Sequence, residues 1–101
     1  MAQTNQQIFD EIHKYIIDCG GTFSNWYVGI TDDPQLRLFT QHSVDKIYGK
    51  WIYRYCLNSE DARMLEEFII KNYNTKGGAG GGSEKTICIY AYEITRMTVE
   101  E

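Results

Sequence analysis

Three short stretches, residues 26–30, 50–57 and 86–95, are rich in aromatic and β-branched residues or alternate in character with a period of two. That period marks strands, and the intervals between them carry helical spacing instead. In the first stretch Trp26, Val28 and Ile30 fall on one face and Tyr27 on the other. In the second, Trp51, Tyr53, Tyr55 and Leu57 oppose Ile52, Arg54 and Cys56; in the third, Ile87, Ile89 and Ala91 oppose Cys88, Tyr90, Tyr92 and Ile94. Tyr27 is thereby set apart from the larger apolar face.

The helices are punctuated by their ends. Thr4 and Gln7 have the spacing of a capping box, followed by Ile8, Phe9, Ile12, Tyr15 and Ile16, which predicts a helix over 5–18 closed by Gly20 and Gly21. Asp32, Asp33 and Pro34 open a short second helix reaching about Gln41, since proline suits a first turn whose N–H groups lack partners anyway. Asn58 caps a third, with Ala62, Leu65, Phe68 and Ile69 as its apolar stripe and an end near Asn74. The order is α-β-α-β-α-β.

Residues 76–83 are dominated by glycine, yet too few residues follow for a second domain, so they read as a long internal loop. As a phosphate cradle this loop has the wrong context, because a P-loop follows a strand and opens a helix. The 101 residues, 43% of them apolar and 24% charged, are the size and composition of one domain spanning 1–101. No apolar run approaches the ~18 residues of a membrane span, and the first residues lack a basic start and apolar stretch, so the expectation is a cytoplasmic protein with no membrane partner. Cys19, Cys56 and Cys88 form no paired motif, and with only His13 and His42 besides, zinc-ligand spacing is absent. Cys56 and Cys88, set in strand patterns, read as packing residues rather than nucleophiles. A net charge of −4 counts against non-specific nucleic-acid binding, unless Arg37, Arg54, Arg63, Lys71 and Lys76 gather into a local basic patch.

Three residue types in this pattern point to chemistry. Glu66 falls on the edge of the third helix's apolar stripe, whereas Glu67 points away. A carboxylate beside a core needs a partner: either a neighbouring Arg or Lys, or a role as metal ligand or general base. Arg37 lies in the second helix, and Tyr27 on the strand leading into it. Guanidinium for phosphate, phenol for proton positioning and carboxylate for Mg²⁺ are the parts of a metal-assisted phosphodiester site. Singly, Tyr27 also suits sheet packing and Arg37 a solvated helix face.

The run from Tyr27 through Val28-Gly29 and Pro34 to Arg37 and Phe39, with His42 behind it, resembles the second half of the GIY-YIG nuclease motif. Leu65-Glu66-Glu67-Phe68 is similar to that family's later helix, and the resemblance covers 26–74. It implies an α+β fold with a small three-stranded antiparallel sheet flanked by helices. It further implies Glu66 as ligand of Mg²⁺ or Mn²⁺, Arg37 as the phosphate-stabilising group, Tyr27 as the group on the attacking water, and His42 beside them. No GIY strand precedes Tyr27, where residues 16–24 read as helix end and glycine turn. The expectation is that the final strand fills that sheet position, with Tyr90 or Tyr92 supplying the missing hydroxyl. Two functions stay open: a metal-dependent endonuclease acting on DNA, or an inactive module of that fold binding nucleic acid or a protein partner. The oligomeric state is not encoded in any of these patterns.

Overall fold

The computed structural model describes residues 2–78 and 83–100. Its elements are α1 (Asn5–Asp18), a 3-10 turn (Phe23–Asn25), β1 (Trp26–Thr31), a π-helix (Leu36–Gln41), β2 (Trp51–Tyr55), α2 (Ser59–Tyr73) and β3 (Cys88–Glu93). The expected α+β architecture with a three-stranded antiparallel sheet is observed.

The helix ends form as their sequences dictate. Thr4 Oγ1 accepts from the Gln7 amide at 3.3 Å, and Gln7 Oε1 accepts from the Thr4 amide at 3.0 Å, closing the capping box. Gly20 and Gly21 leave α1 with φ of 118° and 78°, a left-handed path that a side chain would strain. Asn58 Oδ1 caps α2 through the Asp61 amide at 2.8 Å, and Asn74 closes it in the left-handed conformation.

The second helix departs from expectation in kind rather than place. Asp33 Oδ1 accepts from the Leu36 amide at 3.1 Å as its cap, but the turns then widen to π geometry, and the His42 amide reaches back five residues to the Arg37 carbonyl. Apolar spacing over so few residues cannot distinguish the two forms. The second and third strands are also shorter than the expected 50–57 and 86–95. A second correction concerns Phe68, which is 48% exposed and packs edge-on against Phe9, while Glu66 takes a buried place on α2.

β3 lies between β1 and β2, antiparallel to both. One face of the sheet carries Trp26, Val28, Ile30, Ile52, Ile89 and Ala91, and packs on Ile8, Ile12 and Ile16 of α1 and Ala62, Leu65 and Ile69 of α2. The other carries Tyr27, Tyr90 and Tyr92 beneath Leu38 of the π-helix and Val44. Cys56 and Cys88 are buried thiols, Cys19 is half-buried, and none is bridged. Burial pushes the Cys56 thiol up to about 11, which suits packing rather than nucleophilic chemistry. Among the described residues no helix is long and apolar enough to cross a membrane.

The outer edge of β1 is covered by the chain leaving α2. The Lys76 amide donates to the Trp26 carbonyl at 2.7 Å, and the Val28 amide donates to the Lys76 carbonyl at 2.9 Å. Edge amides and carbonyls that would otherwise face solvent are thereby paired. A Cβ at Gly77 would collide with the Val28 carbonyl oxygen, whereas one at Gly78 would meet nothing nearer than the Tyr27 hydroxyl at 3.9 Å. Residues 79–82 of the expected glycine loop lie outside the described residues. Gly77→Ala is expected to cost about 1–3 kcal/mol in urea unfolding and Gly78→Ala less than about 0.5 kcal/mol.

Candidate functional site

The pairing of β1 with β3 assembles the tyrosines. Tyr27 lies opposite Tyr92, and Gly29 opposite Tyr90, so all three rings rise from one face of adjacent strands. Their centroids are 5.3 Å apart for Tyr27–Tyr92 and 6.2 Å for Tyr27–Tyr90, with the ring planes within 20° of parallel. Gly29 makes room for this. A Cβ there would sit 2.5 Å from the Tyr90 hydroxyl, so any larger residue would displace the ring.

The π-helix brings Arg37 and His42 over the same face. Arg37 Nε donates to the Tyr90 hydroxyl at 3.2 Å, and its Nη1 donates to Gln41 Oε1 at 2.9 Å. His42 is fully buried, with its ring 4.7 Å from Tyr27 and its Nε2 2.7 Å from the Tyr90 hydroxyl. Its Nδ1 lies 2.5 Å from the Val99 carbonyl and 3.0 Å from the Tyr92 hydroxyl. The Tyr92 hydroxyl also donates to the Glu100 carboxylate at 2.9 Å. Burial lowers the His42 pKa and raises those of Tyr90 and Tyr92, so imidazole and phenols alike are held neutral.

Of the six residues expected from sequence, Tyr27, Arg37, His42, Tyr90 and Tyr92 therefore converge. Glu66 is buried on α2, and its charge bears on Tyr90. Arg54, expected as one member of a basic patch, instead pairs with Glu11 of α1 at 2.5 Å. Lys76 does lie near, lining with Tyr27, Gly77, Gly78 and Glu100 a cleft of about 630 Å³. Arg37 lines a second cleft of about 360 Å³ with Asp32, Asp33 and Gln41.

Three contributors escaped the sequence reading. Gly29 has a signal, a glycine inside a strand, which marks a close approach. Val99 and Glu100 have none, because their partners are more than fifty residues away or become neighbours only once the chain turns back. Among the described residues no three His, Cys, Asp or Glu side chains are grouped to hold a metal ion. A divalent cation would then depend on Glu66 with water and substrate oxygens completing its shell, an arrangement common for Mg²⁺.

Glu66 is 2% exposed, and desolvation, reinforced by Glu67, pushes its carboxyl up to about 7. The folded chain thus favours the protonated acid. Its contribution is complete below the unfolded pKa near 4.5 and is lost as pH rises through about 7. Glu66→Gln should therefore match the wild type near pH 4 and exceed its stability at pH 8 by roughly 1–3 kcal/mol in denaturant titrations. No family model, no curated protein and no solved structure matches this chain.

Proposed function

We propose that this chain is a divergent GIY-YIG-like domain acting as a metal-dependent endonuclease on DNA phosphodiesters. The single observation that carries the reading is the meeting of Tyr27, Tyr90 and Arg37, drawn from β1, β3 and the π-helix, on one sheet face. The central position of β3 supports the expectation that a C-terminal strand substitutes for the missing first one.

In this reading Arg37 stabilises charge developing on the phosphate, its guanidinium oriented by Tyr90 and Gln41. Tyr27, with its hydroxyl near Gly78 beside the larger cleft, positions the attacking water. Tyr90 and Tyr92, kept neutral by burial, support the hydrogen bonds around it rather than accepting the water's proton. Glu66 suits a hard cation, Mg²⁺ or Mn²⁺, because such ions take carboxylate oxygens as ligands and its charge bears on Tyr90 in the cluster. Such an ion supplies charge neutralisation at the phosphate when bound.

A second reading, a binding module of this fold without turnover, is favoured by burial and by departures from the family pattern. Glu66 and Tyr90 are almost wholly shielded from solvent, and Ile30 stands where many members of the family carry a lysine. The overall charge of −4 agrees with a protein partner rather than DNA.

A cleavage assay on branched, nicked and linear DNA with Mg²⁺ or Mn²⁺ separates the two. The nuclease reading expects metal-dependent cutting that falls by about 100-fold or more in Glu66→Gln and in Arg37→Ala. Equal residual cutting in the wild type and both variants would assign the activity to a contaminant and leave the binding module.

A further inference from the structure

The geometry points to residues 99–100 as a positioning clasp for Arg37, acting through His42 and Tyr90 by fixing the direction of one hydrogen-bond chain. The Val99 carbonyl oxygen is an acceptor, and it lies 2.5 Å from His42 Nδ1, so Nδ1 carries the imidazole proton. The Tyr92 hydroxyl, 3.0 Å from the same nitrogen, directs its own proton to the Glu100 carboxylate or the Val99 carbonyl, which leaves its oxygen as a second acceptor. Both neighbours of Nδ1 therefore ask it to donate.

Nε2 of the neutral ring is then left as an acceptor, and the group beside it is the Tyr90 hydroxyl at 2.7 Å. Tyr90 has one proton, which goes to His42, so its oxygen must accept from elsewhere. Arg37 Nε provides that bond at 3.2 Å. The chain runs in one sense, from Arg37 Nε to the Tyr90 oxygen, from Tyr90 to His42 Nε2, and from His42 Nδ1 to the Val99 carbonyl. Reversing the tautomer would turn Nε2 into a donor facing a phenol already receiving a proton from Arg37, and would leave Nδ1 facing acceptors. A second bond holds the clasp closed, because the Val99 amide donates to the His42 carbonyl at 2.8 Å. His42, fully buried, touches neither cleft and serves as a positioning residue rather than a catalytic one.

The orientation itself needs no activity to be measured. Its bearing on turnover rests on the nuclease reading above. The test is the two-bond ¹H–¹⁵N spectrum of the labelled full chain at pH 7.5, with Arg37 Nε–H exchange recorded alongside. His42 is expected as the Nδ1–H tautomer, and Arg37 Nε–H as a protected, slowly exchanging signal. An Nε2–H tautomer in the wild type overturns the proposal outright, whatever the variants do. Val99→Pro removes the amide that closes the clasp and should mix the tautomers and speed Arg37 Nε–H exchange about tenfold, with backbone amides of the sheet unchanged. His42→Gln, which keeps an acceptor for Tyr90, should preserve the slow exchange that His42→Leu loses; equal exchange in the two overturns the chain. In cleavage assays Val99→Pro should lower kcat by about tenfold with KM unchanged. The expected spectra without any cleavage by the wild type would reject the nuclease and support the clasp, whereas cleavage with the opposite tautomer would reject the clasp alone.

Discussion

The rest of the molecule depends on β3 sitting between β1 and β2. Neither outer strand touches the other, so the sheet exists only through the two antiparallel ladders that β3 makes. Each ladder also sets a register, and a slip of one residue would exchange the two faces. Tyr90 and Tyr92 would then enter the apolar core, while Ile89 and Ala91 would meet the π-helix. The identity of the tyrosine face is in this sense a property of strand pairing rather than of any single side chain.

The two faces solve different problems. Against α1 and α2 the sheet buries aliphatic residues and a tryptophan, where shape and apolar area suffice. Against the π-helix it buries phenols and an imidazole, whose polar atoms require partners once water is removed. That requirement is met by a connected set of bonds linking Arg37, Tyr90, His42, Tyr92 and the segment at 99–100. The wide turns of the π-helix serve this arrangement, since Arg37 and His42, five residues apart and joined by a backbone hydrogen bond, both reach Tyr90.

Local structure was legible in the sequence where local signals decide it. A capping box and a glycine pair mark the ends of α1, Asn58 marks the start of α2, and the alternation in 26–30 and 86–95 separates Tyr27, Tyr90 and Tyr92 from the aliphatic face. The convergence of those tyrosines with Arg37 was expected from a resemblance, and the geometry has them in contact. What local pattern could not supply was information carried by distant partners. The half-exposed place of Phe68 goes with its position at the rim of α2, where it meets Phe9 of α1. Arg54 turns to Glu11, forty-three residues away in the chain. The departure to π geometry reflects tertiary demands on Arg37 and His42 that no apolar period over six residues records.

Having its central strand come after both of its neighbours also sets an order of assembly. As the polypeptide is made, β1 and β2 emerge with no strand to pair with, and α1 and α2 can dock on each other through Asn5, Phe9 and Phe68 before any ladder forms. Both ladders wait for the arrival of 88–93, and closing loops tens of residues long makes folding slow relative to a helical chain of this size. Until that moment the tyrosine cluster does not exist, so a nascent or truncated chain carries none of the chemistry proposed for the finished one.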